Sequence, residues 1–276
     1  MKAAYASTSV TALLKRLLLA SNHNILEWYI RLAMSSYSLL DWIYPPRCIA
    51  CNIMLPILHN VPKQHICNEC QPLFEQIVDP FCPKCGYPEN PCSSCYGKSH
   101  YFDSHRAAYV YEETMREIIL KVKFQSRRQA AQGLGVLFAE VASKWEINVS
   151  GSSTYIVPIP LHPSKKRARG FNQATVIARP LAKALNIPLC ENMLKRIKNT
   201  TAQSLLSPHA RAENLEGAFL YNSKKFKMPP ECVVLIDDIY TSGATMDACA
   251  KILKSNGISR VLCFSLSIAT KKMKKG

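Results

Sequence analysis

Apolar positions after residue 100 follow the spacings of strands and helices in alternation. Arg106–Tyr111 has the pattern of a strand, and Glu113–Lys123 places apolar side chains at helical spacing. A second helix is predicted around Gln129–Lys144, and a β-rich run broken by proline follows at residues 154–160. A basic loop then leads to a helix predicted from about Asn172 to Leu185. We therefore expect strands and helices in turn along this part of the chain.

The most apolar run lies near the C-terminus. Cys232–Ile236, CVVLI, is continuously apolar, which is typical of a strand buried on both faces of a parallel sheet. A helix is predicted from about Ala244 to Ser255, where Asn256 and Gly257 end it, and the strand RVLCFSLSI follows. Strands that alternate with helices predict an α/β domain with a parallel sheet flanked by helices.

Residues 39–99 have a different pattern, rich in cysteine and proline. Eight of the twelve cysteines form four C-x-x-C pairs, and the prolines between them exclude long helices. Such a segment cannot build its own apolar core, so its stability is expected to come from metal. Two pairs supply the four thiolates of a closed tetrahedral zinc site, which predicts two structural zinc ions. The simplest pairing uses Cys48, Cys51, Cys67 and Cys70 for one ion and Cys82, Cys85, Cys92 and Cys95 for the other.

A cross-braced pairing of the cysteines stays open, and so do redox dithiols and iron–sulfur ligation. A redox C-x-x-C, however, opens a helix in a βαβ context and is not repeated four times. Spacing therefore favours structural zinc in a small cysteine-rich module.

Positive charge is concentrated after this module. Residues 1–100 hold 8 Lys/Arg against 6 Asp/Glu, and residues 101–276 hold 27 against 13, so the excess is +2 in the first part and +14 in the second. Such a surplus attracts diphosphates, nucleic acid or anionic lipid without distinguishing them.

No transmembrane segment is expected, because the sequence has no apolar span of 18 residues, and the short run after Lys15 and Arg16 does not match a signal peptide. Metal-type cysteine spacing favours a reducing, cytoplasmic compartment.

Two acidic residues and a hydroxyl-rich turn follow the apolar strand. Asp237 and Asp238 are expected at the carboxyl edge of the sheet, where ligands bind in open α/β folds. Backbone N–H groups at a helix N-terminus, hydroxyls and a glycine make a phosphate cradle, and the carboxylates suit the paired hydroxyls of a ribose. We therefore predict ribose 5-phosphate recognition by a turn that consists of Tyr240, Thr241, Ser242, Gly243, Ala244 and Thr245.

Two alternatives compete with that prediction. A Walker-B-like metal site would need a Walker A partner, and Gly97-Lys98-Ser99 lacks the glycine required upstream. A merely structural turn would not need an acidic pair beside a hydroxyl-rich helix start. The pattern as a whole favours the ligand site.

The segment VVLIDDIYTSGAT, residues 233–245, resembles the 5-phosphoribosyl 1-diphosphate (PRPP) signature of type I phosphoribosyltransferases. From about Leu39 to Thr270 the chain resembles the ComF/GntX family, in LLDWIYPPRC, the cysteine pairs, KVKF at residues 121–124, VPIPLHPSKKRARGFNQA at residues 157–174 and ARAENLEGAF. The resemblance implies a type I phosphoribosyltransferase-like fold, 5′-phosphate binding by Tyr240–Thr245 and catalytic roles for Asp237 and Asp238.

The same resemblance implies a diphosphate site with Mg²⁺. Its contacts would be Lys165, Lys166, Arg167, Arg169 and Gly170, whose charges suit a departing diphosphate. The stretch Arg196–Arg211, which includes Thr201, Gln203 and Ser204, resembles the hood that closes on substrate.

Two functions follow as expectations. The first is a ComF-type phosphoribosyltransferase, which would transfer a pentosyl group to an acceptor that the sequence does not identify. The second is a non-catalytic, PRPP-regulated protein that binds single-stranded DNA, because the resemblance implies a role in natural competence and DNA uptake beside other uptake proteins. The expected organisation is an N-terminal extension at 1–38, a double zinc ribbon at 39–99, a phosphoribosyltransferase-like domain at 100–270 and a basic tail at 271–276.

Overall fold

The computed structural model describes residues 45–56, 64–89, 91–92, 95, 99–145, 153–200, 214–223, 226 and 228–270. The predicted N-terminal extension, the basic tail, residues 39–44 and Thr201, Gln203 and Ser204 lie outside the described residues. The chain divides into two compact units, one of residues 1–48 with 52–67 and one of residues 49–51 with 68–276.

A tight turn carries the first cysteine of the first unit. The Cys48 amide donates to the Ile53 carbonyl at 2.9 Å, and the Asn52 amide returns to the Cys48 carbonyl at 2.9 Å. Asn52 has a φ of 65°, a left-handed conformation that asparagine tolerates in turns. The Cys67 amide donates to the Cys48 Sγ at 3.5 Å, a bond that suits a metal-binding thiolate.

A parallel four-stranded sheet organises the second unit. In chain order its elements are β1 (Ser104–Val110), α1 (Glu113–Phe124), α2 (Arg128–Ala142), β2 (Thr154–Pro158), α3 (Pro163–Arg169), α4 (Gln173–Leu185), β3 (Leu194–Arg196), β4 (Phe219–Tyr221), β5 (Cys232–Tyr240), α5 (Ala244–Ser255) and β6 (Arg260–Ile268). The strand order is β1-β6-β5-β2, and β3 pairs with β4 in a separate antiparallel ribbon. The predicted fold class, a parallel sheet flanked by helices behind a cysteine-rich segment, is confirmed.

Two sequence expectations about elements are corrected, and one pair of strands was missed. β5 continues to Tyr240, so Asp237 and Asp238 lie within the strand and do not follow it. The expected basic loop contains the helix α3, since Pro163 begins it and Gly170, at a φ of 82°, ends it. The ribbon of β3 and β4 was missed because strands of three residues give no periodic signal.

The core on one face of the sheet includes part of the cysteine-rich segment. Buried residues Ile77, Cys82, Cys85, Tyr87 and Phe102 share a cluster with side chains of β5, β6 and α5. The sequence led us to expect that metal alone would stabilise this segment. For this part of the segment that expectation is wrong, because its apolar side chains share the core of the sheet. Among the residues that the structure describes, no helix is long and apolar enough to cross a membrane.

Candidate functional site

The acidic pair lies in the part of β5 that extends beyond the end of the neighbouring strand β2. β2 ends its pairing with β5 at Pro158 opposite Ile236, whereas β5 stays paired with β6 beyond that point, with Asp237 opposite Ser265. The chain of β2 has left the sheet there, which opens the carboxyl edge beside Asp237 and Asp238. Asp238 is 4% exposed, so its carboxylate needs a compensating charge.

Lys123, at the end of α1, supplies that charge. Its Nζ lies 2.8 Å from the Asp238 Oδ2. Burial opposes ionisation of Asp238, but the Lys123 ammonium outweighs burial and lowers the Asp238 pKa. In the same way Asp238 outweighs the burial of Lys123 and raises the Lys123 pKa.

Asp237 shifts in the opposite direction. Its Oδ1 accepts from the Asp238 amide at 2.8 Å. Burial and the neighbouring charge of Asp238 raise the Asp237 pKa well above its ordinary value. The pair therefore offers one carboxylate held ionised and one that keeps its proton more readily, a combination that can accept and donate hydrogen bonds.

Further cations are coupled to this pair from two other elements. The Arg169 Nε donates to the Lys123 carbonyl at 3.0 Å, and its guanidinium acts on the charge of Asp238. Arg196 of β3 acts on Asp237 and donates to Thr200 Oγ1, while Lys165 donates to the Thr200 carbonyl at 2.9 Å. Burial lowers the pKa of Lys165, of Arg169 and of Arg196.

The helix α3 places the predicted diphosphate contacts on two different faces. Lys165 and Arg169 are one helical turn apart and partly buried, whereas Lys166 and Arg167 are exposed. Gly170 adopts the left-handed conformation that ends the helix, and a Cβ there would have no atom within 4 Å. Of the four predicted cations, Arg169 is thus coupled to Asp238, and Lys165 is held beside Arg196 by its bond to the Thr200 carbonyl.

The predicted phosphate loop joins β5 to the start of α5. Gly243 is the N-cap at a φ of 79°, and a Cβ there would lie 2.6 Å from the Tyr240 hydroxyl. Tyr240 is 5% exposed, so its ring is packed inside and only its backbone can face a ligand. Thr241 is exposed, and Ser242, Ala244 and Thr245 are half-buried at the N-terminus of the helix. This is the arrangement of amides and hydroxyls expected of an anion site.

The cysteines are grouped into the two predicted sets. Cys48, Cys51, Cys67 and Cys70 form one group that could hold a metal, and Cys82, Cys85, Cys92 and Cys95 form the other, with ligand atoms of each within 4.8 Å of one another. In the second set Cys82 and Cys95 have sulfurs 3.5 Å apart, as do Cys85 and Cys92. Sulfurs around tetrahedral zinc are about 3.8 Å apart for a Zn–S length of about 2.3 Å. The donor sets therefore fit two structural zinc ions.

Two functional candidates were missed from the sequence. Lys123 stands in the KVKF segment, whose similarity to the ComF/GntX family was visible but whose contact with Asp238 was not. Arg196 was assigned only to the hood, and of that stretch the structure describes residues 196–200. Lys123 contacts the acidic pair and Arg196 acts on it electrostatically, both from elements distant in sequence, so periodicity carried no signal for them.

Comparisons with known proteins found matches to the cysteine-rich segment and to most of the chain. Residues 39–99 match the model of the double zinc ribbon domain. The chain is 29% identical over 228 residues to competence protein F of Haemophilus influenzae, a match that covers 81% of this chain and 97% of that protein. It is 28% identical to competence protein ComFC of Bacillus subtilis, covering 71% and 80%, and 27% identical to DNA utilization protein YhgH of Escherichia coli, covering 80% and 96%.

Solved structures matched include two phosphoribosyltransferases. A hypoxanthine phosphoribosyltransferase of Staphylococcus aureus is 12% identical with a TM-score of 0.31, covering 54% of this chain and 68% of that one. An adenine phosphoribosyltransferase of Trypanosoma brucei, in complex with AMP, pyrophosphate and ribose-5-phosphate, is 12% identical with a TM-score of 0.33, covering 73% and 78%. Scores this low carry no argument about the chain.

Proposed function

We propose that this chain, a homologue of competence protein F and ComFC with a double zinc ribbon domain, binds PRPP and acts in DNA uptake. The relatives named for competence and DNA utilization match it across most of their own length. The proposal takes the process from those relatives and the ligand from the chemistry of the site.

One observation carries the choice of ligand. An acidic pair, half-buried at Asp237 and buried at Asp238, lies at the open edge of the sheet and is followed at once by a hydroxyl-rich turn at the start of α5. A phosphate alone would be repelled by the ionised Asp238, whereas a ribose 5-phosphate presents hydroxyls to the acidic pair and its phosphate to the helix start. The two features adjoin along the chain, which supports a single ligand that carries both groups.

Each element then has a separate part in binding. Asp237 and Asp238 hold the ribose hydroxyls, and the backbone and hydroxyls of residues 240–245 hold the 5′-phosphate. The diphosphate is neutralised by three half-buried cations, Lys165, Arg169 and Arg196. The exposed Lys166 and Arg167 add positive charge at the solvent side of α3. Mg²⁺ carried by PRPP would supply further neutralisation of the diphosphate. No nucleophilic side chain is needed, because a departing diphosphate is promoted by charge stabilisation.

The double substitution Asp237→Asn with Asp238→Asn tests the ligand assignment. We expect the affinity for PRPP, measured by calorimetry, to fall at least about a hundredfold, because two bonds that depend on the acidic pair are lost. The amides keep the size of the carboxylates, so circular dichroism should show the fold unchanged. Wild-type affinity in this folded variant would refute the assignment.

A second function is favoured by the side chain of Phe124, which is 79% exposed at the end of α1. Exposed Arg127 and Arg128 follow it, and the Arg169 bond to the Lys123 carbonyl ties the exposed basic face of α3 to the same place. An exposed aromatic ring among cations is what single-stranded DNA binding requires. PRPP would then regulate DNA binding without being consumed.

Diphosphate release distinguishes the two functions. The protein, Mg²⁺ and PRPP are incubated with a panel of bases, amines and oligonucleotides. Release that depends on one acceptor establishes a transferase. Absence of release with every acceptor, together with DNA affinity that falls with salt, establishes the binding role.

Domain limits and compartment belong to the same proposal. We place the double zinc ribbon at 39–99 and the ligand-binding domain at 100–270. The grouping of eight cysteines into two metal-type sets suits a cytoplasmic protein that binds metal.

A further inference from the structure

A buried histidine connects the second cysteine set to the candidate ligand site. His105 is 2% exposed and lies near the start of β1. None of the ligand contacts proposed above uses it. Its two ring nitrogens and its ring face each meet a different partner.

The first partner is the turn that carries Cys82 and Cys85. The His105 Nδ1 lies 2.7 Å from the Cys85 carbonyl, and because a carbonyl can only accept, Nδ1 carries the proton. The His105 amide also donates to the Lys84 carbonyl at 2.8 Å. Gly86, at a φ of 66°, permits this approach, since a Cβ there would lie 2.8 Å from the His105 carbonyl oxygen. The knuckle is thus fixed to β1 by both the backbone and the ring.

The second partner is the phosphate loop. The imidazole stacks on the Tyr240 ring with centroids 3.9 Å apart and planes at 20°. The Tyr240 hydroxyl in turn lies against Gly243, where any Cβ would clash at 2.6 Å. A displacement of the imidazole would therefore move the tyrosine that supports the N-cap of α5.

The third partner leads to the acidic pair. The His105 Nε2 and the Ser267 carbonyl both lie 2.9 Å from the Ser265 Oγ, so the single hydroxyl proton of Ser265 is shared between these two acceptors. The Ser267 hydroxyl donates to the Asp238 carbonyl at 3.1 Å. Ser265 and Ser267 are both fully buried, so no water competes for these bonds. One imidazole thus supports both ends of the segment from Asp238 to Gly243.

We propose that His105 is a positioning residue, through which the cysteine set Cys82, Cys85, Cys92 and Cys95 holds the phosphate loop and Asp238 in their binding geometry. Metal binding at this set then governs the affinity of the loop for ribose 5-phosphate. The first part concerns the fold alone, and the second rests on the proposed function.

The substitution His105→Phe tests the connection. Phenylalanine keeps a ring for stacking on Tyr240 and loses both nitrogens. We expect amide hydrogen exchange in residues 240–247 of the ligand-free protein to increase, and the dissociation constant for ribose 5-phosphate to rise roughly tenfold. Zinc content, measured by atomic emission, should stay at two ions per chain, because no cysteine is changed.

Two further variants locate the effect. Ser265→Ala breaks the path to Asp238 and leaves the Cys85 bond intact, so the same segment should exchange faster, with a smaller loss of affinity. Cys92→Ser with Cys95→Ser should remove one zinc ion and reproduce the exchange seen for His105→Phe. If His105→Phe does not fold, Ser265→Ala decides the question.

The outcomes separate this inference from the proposed function. Wild-type exchange in residues 240–247 in the folded His105→Phe and Ser265→Ala variants would overturn the inference. Faster exchange in a protein whose wild type does not bind ribose 5-phosphate would uphold the positioning role and reject the ligand. Equal affinity in wild type and all variants would uphold the ligand and reject the link to metal.

Discussion

Lys123 and Asp238 form the contact on which the electrostatics of the site depend. Their side chains are 2.8 Å apart, and the Asp238 side chain is 6% exposed. The Asp238 pKa is lowered, so the stability that its ionised form contributes is present above the ordinary aspartate pKa and is lost as the pH falls through the lowered value. Without the ammonium, burial would act alone and raise the Asp238 pKa.

We predict that Lys123→Met makes ligand binding depend on pH near neutrality. With both carboxylates then favouring the protonated state, the affinity for ribose 5-phosphate should fall about tenfold at about pH 7 and recover towards about pH 9, as the pair ionises. Calorimetry across this range measures the effect.

Lys121→Met is the matched control for that variant. Lys121 lies on the same helix, and its ammonium pairs with the exposed Glu117 at 3.3 Å, in an i,i+4 pair. Its removal should leave the pH profile of binding unchanged. A Lys123→Met profile parallel to that of the wild type would show that Lys123 does not set the charge of the pair.

The helix α3 shows how an element selects among similar residues. Its N-cap His162 accepts from the Ser164 amide, and the left-handed Gly170 ends it after seven residues. Residues four apart on a helix share a face, so Lys165 and Arg169 point to the same side while Lys166 and Arg167 stay exposed. In the basic loop expected from the sequence, all four cations would have been equivalent.

We therefore predict unequal effects from two neighbouring lysines. Lys165→Met should weaken PRPP binding about tenfold, because it removes a partly buried cation proposed to neutralise the diphosphate. Lys166→Met should change the affinity for PRPP by less than about twofold, because the Lys166 side chain is exposed. The two variants have the same net charge, so a general electrostatic effect would appear equally in both. Equal losses would show that α3 does not orient Lys165 towards the ligand.

The charge of the whole molecule favours polyanionic partners. Residues 101–276 carry an excess of +14, and Phe124 stands 79% exposed beside part of that charge. Exposed cations neutralise phosphates and determine how binding depends on salt, whereas an aromatic ring stacks on bases and does not. The two contributions to the proposed DNA binding can therefore be measured separately.

We predict that Phe124→Ala weakens binding to single-stranded oligonucleotides about tenfold and leaves the slope of log affinity against log salt unchanged. Fluorescence anisotropy at several salt concentrations gives both quantities. Val78→Ala, at a 70% exposed position next to Asp79, is the control for loss of an exposed apolar group. If Phe124→Ala binds DNA with the affinity of the wild type, the surface around Phe124 is not the DNA-binding site.

The local sequence determined the features that depend on near neighbours. Helix and strand periodicity predicted α5 and β6 with their observed ends, and C-x-x-C spacing predicted the two metal-type sets. The acidic pair and the hydroxyl-rich turn were visible because both lie in one continuous segment. Such features are fixed by side chains a few residues apart, which a single sequence displays directly.

Tertiary structure alone decided which distant groups meet. The pairing of Lys123 with Asp238, the approach of Arg196 and the path from Cys85 through His105 to Ser265 join residues separated by up to 160 positions. These contacts arise because a parallel sheet brings the ends of non-consecutive strands to one edge. No spacing in the sequence records that arrangement, because it is set by which strands become neighbours when the core is buried.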